Sequence, residues 1–357
     1  MNNPYRDMAP YAFWRKAVAG VASPDLDPLI AAPFTIARDD KIVSAGSCFA
    51  QHISRFLAGA GYNYLVTEPA HPILNDEDAN AFNFGTFSAR YGNIYTARQL
   101  LQLMHRAYGR FHPADDIWRE ADATLIDPFR PKIQPGGFCS AREYELDRSR
   151  HFEAVRRAFE ELDVFIFTFG LTEAWRAHDD GAVYPLCPGV AGGQFDPQKH
   201  EFHNFTVEET VADTLAFIDE LRRVNPAARC ILTVSPVPLV ATAEDRHVLV
   251  STTYSKSVLR VACEHICKSR NAVGYFPAYE IVTGSYNRGA YFAPDLRSVT
   301  EHGVAHVMRV FMRHFAGVDA PATSVGKAPR TDAHSEIMER LVALNCEEEA
   351  LNVEQER

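Results

Sequence analysis

The chain has 357 residues, 46% of them hydrophobic and 23% charged, with a formal net charge of −10 and a pI near 5.8. This is the balance of a globular protein that folds around its own core. The acidic surplus argues against a general nucleic-acid binder, which needs clustered Lys and Arg to track phosphates. No apolar run approaches the roughly 18–20 residues of a membrane span. The first residues lack the apolar segment of a signal peptide. Seven cysteines at scattered spacing give neither a disulfide framework nor a Cys-x-x-Cys metal pattern. The expected compartment is a reducing cytoplasm.

Residues 1–37 read as an arm lying on the domain. Pro4, Pro10, Pro24, Pro28 and Pro33 allow only short helical pieces, and Trp14 and Phe34 suit docking. Lys41 to Gly46 is a short buried strand. Gly46-Ser47-Cys48-Phe49-Ala50 is a tight turn, followed by helical spacing in which Ile53, Phe56 and Leu57 share a face. Strand, small-residue turn and helix is the geometry that lifts a nucleophile to the carboxyl edge of a parallel sheet, where a helix N-terminus stabilises negative charge. The same pattern also fits a plain turn in which Ser47 caps the helix.

Tyr62 to Thr67 alternates as a second strand. Residues 68–150 then leave the strand–helix rhythm. Within them Tyr95 to Tyr108 is a helix with Leu100, Leu101, Leu103 and Met104 on its core face. The scattered aromatics of 118–138 read as a cap inserted over the sheet edge. His151 to Leu162 is a helix, Val164 to Phe169 a fully buried strand, and 177–206 a Gly/Pro-rich loop. Helix 207–224, strand 230–234, helix 254–269, strand 273–277 and helix 304–315 follow. Residues 317–331 read as a linker and 334–351 as a lone amphipathic helix with few core contacts. The expected organisation is an arm (1–37), one domain (38–316) and a C-terminal appendage (317–357). Alternating strands and helices predict an α/β fold, a three-layer α/β/α sandwich on a parallel sheet.

The turn at Gly46 to Ala50, together with Gly92-Asn93-Ile94-Tyr95, Thr168-Phe169-Gly170-Leu171-Thr172-Glu173, Ser235-Pro236-Val237-Pro238 and Tyr254-Ser255-Lys256, resembles the GSCFA-domain family. That family is grouped with the SGNH (GDSL-like) hydrolases, and the resemblance runs from about Ile36 to Phe315. It implies a flavodoxin-like, five-stranded sheet of order 2-1-3-4-5. It also implies hydrolysis of an acyl ester or O-acyl transfer. The third residue of the motif is the acting one in that register, which places Cys48 there, with Ser47 as the other choice. A thiol at a helix N-terminus is a credible nucleophile.

The resemblance also assigns the supporting groups. Gly85, in Asn83-Phe84-Gly85, matches the glycine that helps hold an oxyanion. Gly170 and Thr172 stand where the pattern has Gly-x-Asn-Asp, so a hydroxyl replaces the expected amide. Glu173, beside Trp175, is an acid or base if burial raises its pKa, and otherwise a capping or structural group. Asp295 matches the start of Asp-x-x-His, but Ser298 occupies the histidine position. Either the base has moved one helical turn to His302, or the triad is incomplete. The loop residues His71, His178 and His203 are weaker alternatives. Asp196 with His200 and His203, and Cys263 with Cys267, lack a fourth ligand nearby in sequence, so no metal is expected. Without a Gly-rich phosphate loop no cofactor is expected either. The leading expectation is an esterase or O-acyltransferase on a small-molecule or saccharide ester, the aromatic insert suiting sugar rings. The alternative is a binding or assembly module that has lost its triad.

Overall fold

The computed structural model describes residues 3–317; the linker and helix expected beyond 317 lie outside them. Four strands form the central sheet: β1 (Ile42–Gly46), β4 (Val164–Phe169), β8 (Arg229–Val234) and β9 (Val273–Phe276). All pairs are parallel, in the order β1-β4-β8-β9. Between these strands in sequence lie α1 (Ala50–Gly59), α2 (Asp76–Ala81), α3 (Ala97–Ala107), the short pair β2 (Trp118–Arg119) and β3 (Leu125–Ile126), and α4 (Ala141–Glu161). Then come β5 (Glu173–Ala177), β6 (Val183–Tyr184), β7 (His200–Asn204), α5 (Val207–Val224) and α6 (Val248–Ser269), with α7 (Ala278–Thr283) and α8 (Glu301–Phe315) closing the domain.

The strands read as continuous apolar runs because both sheet faces are covered. Successive side chains alternate between two cores. Val43, Phe165, Phe167 and Leu232 pack with residues of α3 to α6. Ile42, Ile166, Ile231 and Phe276 pack with residues of α1, α7 and α8. The helices begin where the sequence signals it. Thr96 with Gln99 and Thr206 with Glu209 form reciprocal capping boxes on α3 and α5, and Ser140 and Thr300 cap α4 and α8.

The sheet departs from the expected five strands. Tyr62 to Leu65 meets β1 through a single parallel bridge, in which Ile42 N–H donates to Asn63 O (2.9 Å) and Leu65 N–H to Ile42 O (2.9 Å). Further along, that edge of β1 is occupied by another segment. The Tyr91 hydroxyl donates to Ser44 O, and Ile94 N–H donates to Gly46 O at 2.9 Å. A longer strand after residue 64 has no free edge to join. The other difference lies at 177–206, expected as a loop. It supplies β6 and β7 to an antiparallel sheet of order β6-β5-β7, in which Trp175 pairs with both Tyr184 and Phe202.

The arm docks along α8. Ile36 N–H donates to Phe315 O (2.6 Å), Asp27 pairs with Arg313 and His314, and Phe34 packs edge-on against Phe315. Phe34 therefore docks as expected, but Trp14 is 68% exposed.

The region from Glu68 to His151 is held by buried charges. Arg130 bonds Asp127 (2.8 Å) and Asp147 (2.7 Å), Arg90 bonds Asp147 (2.8 Å), and one Glu68 oxygen accepts from both Arg90 N–H (2.7 Å) and His151 Nδ1 (2.8 Å). Burial pushes the Glu68 carboxyl up, but His151 and Arg130 outweigh it and hold the pKa near 2, against an ordinary 4.5. A depressed carboxylate contributes stability above its unfolded pKa and loses it as pH falls through its folded pKa. Glu68→Gln is thus expected to be less stable than wild type at pH 6, by about 2 kcal/mol. The gap should close between pH 4.5 and 2. Urea midpoints across that range check this, and a gap independent of pH would contradict it.

Candidate functional site

Three strand ends meet at the carboxyl edge of the sheet. β1 ends in Gly46, whose φ of +144° no other residue adopts easily. A Cβ there would sit 2.8 Å from Thr168 Cβ and 2.9 Å from Thr168 N, and closer still to Thr168 O. The turn then tightens into α1 through its own backbone, Ala50 N–H donating to Ser47 O (2.9 Å) and Gln51 N–H to Cys48 O (3.1 Å). The Ser47 hydroxyl does not cap the helix. It is 3% exposed, makes no hydrogen bond among the described residues, and lines a small cleft.

Cys48, itself buried, lines the same cleft together with Tyr95, Gly170, Ser235 and Pro238. Gly170 follows β4 and Ser235 follows β8, so the segment leaving each of these three adjacent strands contributes. Gly170 allows the close approach: a Cβ on it would lie 2.9 Å from the Tyr95 ring and 3.2 Å from Ser47 Cβ. Tyr95 arrives from the region 68–150, as expected of a cleft wall. The other wall is the loop after β8, not 177–206.

The expected oxyanion donors are placed as follows. Gly170 N–H donates to Tyr95 O (2.9 Å), so this glycine shapes the cleft. The Thr172 hydroxyl donates to Asn204 Oδ1 (2.6 Å) and its N–H to Ser255 Oγ (3.0 Å). Asn83 and Gly85 both have positive φ in an outlying turn, where Asn83 Nδ2 donates to Lys132 O (3.1 Å). Neither lines the cleft. Glu173 accepts from Thr242 Oγ1 (2.7 Å) and Ala243 N–H (3.3 Å), and burial raises its pKa. Trp175 packs against Phe195 and Phe202 in the antiparallel sheet.

Asp295 turns back on its own loop. Its carboxylate accepts from Arg297 N–H (2.9 Å), Ser298 N–H (2.9 Å) and the Ser298 hydroxyl (2.5 Å). Burial pushes this carboxyl up, and those bonds more than offset it, so its pKa is lowered. Arg297 Nε reaches Pro238 O at 3.2 Å, tying this loop to the cleft wall. His302 is exposed on the first turn of α8, its ring 5.3 Å from that of Tyr291. One turn on, His306 accepts from the Tyr291 hydroxyl (2.6 Å) and donates to Leu26 O (2.7 Å), anchoring the arm. Burial lowers its pKa to about 4. Of the loop histidines, His203 bonds Glu209 and His178 faces Glu201, while His71 Nδ1 accepts from Ile73 N–H.

Two nearby groups were given no role in the sequence reading, although Lys256 stands in one of the motifs that carry the resemblance. Lys256, 1% exposed, donates from Nζ to Gly170 O at 2.5 Å, placing a cation behind the cleft. Its signal was spacing: Lys256, Leu259 and Cys263 fall on one helical face at i, i+3 and i+7, so a lysine shares an apolar stripe. His52, one turn beyond Cys48, is brought to a pKa of about 4 by burial and the neighbouring Arg55. It is therefore neutral at physiological pH.

Against known families, the model described as the GSCFA family matches residues 41–311. The chain belongs to the GSCFA family. The GSCFA match begins at β1 and ends within α8, so the turn, the cleft and the Asp295 loop are all family territory. No curated protein matches the chain. Among the described residues, no group of three or more His, Cys, Asp or Glu could hold a metal ion, and no helix is long and apolar enough to cross a membrane.

Proposed function

We propose that this GSCFA protein is an acyl-group enzyme of SGNH type, an esterase or O-acyltransferase acting on a carbohydrate-type ester. The observation that carries the reading is the Ser47–Cys48 turn: two nucleophile-bearing residues at the carboxyl edge of a parallel sheet, in a cleft, with the Ser47 hydroxyl uncommitted. The single bridge at Tyr64 stands where the outer strand of an SGNH sheet would run. In the proposed step the Cys48 thiolate attacks the ester carbonyl. The C–S bond forms, the C–O bond breaks, and the leaving alkoxide takes a proton from the general acid. Water, or an acceptor hydroxyl, then gives its proton to the same acid–base group and attacks the thioester carbonyl, and the C–S bond breaks to release the acid or new ester and restore the thiolate. The acid–base role falls to His302 on the first turn of α8, with Asp295 from the loop before it; taking it up requires that helix start and loop to move toward Ser47 and Asp295 to leave Ser298.

A second reading is a binding or assembly module on the same scaffold. It is favoured by Asp295, whose carboxylate is engaged by its own loop, and by the contact of His302 with Tyr291. Incubation with an electrophilic acyl-ester probe, followed by mass mapping, separates the two. Label on residue 47 or 48 is expected for the enzyme. A folded protein that takes no label at either position supports the module.

A further inference from the structure

A second cavity uses the other side of the segment that walls the cleft. Asn93 and Ile94 line it, whereas Tyr95 lines the cleft. Its volume is about 30 Å³, space for roughly two water molecules. Arg106 of α3 and His151 of α4 both border it.

Arg106 is 8% exposed, and its guanidinium lies 3.6 Å from the centroid of the Phe129 ring. The nearby carboxylates are spent elsewhere: Asp127 and Asp147 pair with Arg130, and Asp147 also with Arg90. Among the described residues Arg106 forms no ion pair, and its Nε has no hydrogen-bond partner. Burial brings its pKa down only to about 10, so it stays charged at neutral pH. Asp127 acts on Arg106 through space but is bonded to Arg130, and a buried charge with no direct ion pair is strongly unfavourable. The planar guanidinium matches the shape of a small oxyanion.

His151, 1% exposed, adds a second condition. Its Nδ1 donates to the Glu68 carboxylate at 2.8 Å, and among the described residues its Nε2 has no hydrogen-bond partner. Burial and Arg130 lower its pKa against the opposing pull of Glu68, and in the neutral ring the Nδ1–H held by Glu68 leaves Nε2 as an acceptor. A bare anion facing that lone pair would be repelled. A ligand that satisfies both groups is small, carries a negative oxygen for Arg106, and offers one O–H to Nε2.

We propose that this cavity binds a small oxyanion bearing a hydroxyl proton, of the bicarbonate type, with its charge on Arg106 and its O–H donated to His151. The site is separate from the Ser47–Cys48 cleft and does not depend on the activity proposed there.

The test uses the full chain at constant ionic strength. Thermal unfolding and titration calorimetry are run with bicarbonate, with formate (same charge, no O–H) and with chloride. Bicarbonate is expected to raise the unfolding midpoint and to bind at least fivefold more tightly than formate. Arg106→Met should weaken bicarbonate binding at least tenfold, as expected for loss of a charge-assisted hydrogen bond. If Arg106→Met does not fold, Arg106→Lys, which keeps charge but loses the planar fork, should show weakened binding instead. No midpoint shift from bicarbonate beyond that from chloride would overturn the proposal, as would unchanged binding in the Arg106 variants. Formate binding as tightly as bicarbonate would overturn the His151 part.

Discussion

Cys48→Ala is expected to lower turnover of an acyl ester by at least about three orders of magnitude, because losing a covalent nucleophile removes the reaction route itself. Ser47→Ala should cost less, about 10- to 100-fold, as loss of one polar group facing the substrate. The distinction follows from the turn. Both residues line the cleft. Ser47 N–H is tied back to Thr168 O of the neighbouring strand at 3.3 Å, whereas Cys48 leads directly into α1, where the helix N-terminus favours a thiolate. Ser47 does not cap α1, so Ser47→Ala leaves no orphaned helix donor. His302→Ala should match Cys48→Ala if it supplies the base. The measurement is ester turnover by purified variants, with folding followed by circular dichroism. Full activity in folded Cys48→Ala would move the nucleophile to Ser47. Full activity in the double variant would remove covalent catalysis from the turn.

The central sheet was legible because its strands carry one signal. Val164 to Phe169 is six apolar or β-branched residues in a row, which only a strand buried on both faces tolerates. The helices were legible from their faces, and α5 has the expected bounds, since Thr206 and Glu209 mark its start. A polar start hid that of α4, since residues 141–150 are mostly charged; α6 begins at Val248, ahead of the expected Tyr254, with a first turn whose Leu249 and Val250 face solvent and so lack the expected one-sided pattern. The antiparallel sheet was hidden for another reason. His200 to Asn204 has almost no apolar content, and it pairs with β5 through backbone bonds that carry no sequence signature. The missing fifth strand is a long-range effect, since Tyr91 and Ile94, about 30 residues downstream, take the edge that Tyr62 to Thr67 would need.

At the site, the local part was readable and the assembled part was not. A strand, a small-residue turn and a helix placed Ser47 and Cys48 at the sheet edge, while the close approach at Gly170, read from the resemblance only as part of an oxyanion pattern, emerges from the packing of Tyr95. What a hydroxyl bonds to depends on partners far away in sequence. Thr172 is committed to Asn204 and Ser255, and Glu173 to Thr242, through contacts that spacing does not encode. Arg106 illustrates the same point from the other side. On α3 it reads as one more charge on an amphipathic helix, and only the packing of Phe129 over it reveals that the charge is buried.

Gly46→Ala should lower global stability by about 3–5 kcal/mol, a large part of the 5–15 typical of a domain. Two costs add. The first is the φ of +144°, worth about 1–3 kcal/mol for a residue with a Cβ. The second is overlap of that Cβ with the Thr168 backbone, which cannot move without breaking the β1–β4 register in which Gly46 pairs with Thr168. Two other glycines separate these terms. Gly85 has a φ of +72° but nothing within 4 Å of its added Cβ, so Gly85→Ala should cost only about 1 kcal/mol. Gly170 lies outside the left-handed φ range, and its Cβ would meet the Tyr95 ring at 2.9 Å and Ser47 Cβ at 3.2 Å. Gly170→Ala should therefore fold, yet close the cleft and lose turnover. Urea unfolding of the three variants, set beside ester turnover, reads all of this at once. A Gly46→Ala protein within 1 kcal/mol of wild type would mean that the turn is not held against β4 as described, and the nucleophile would lose the anchor that aims it.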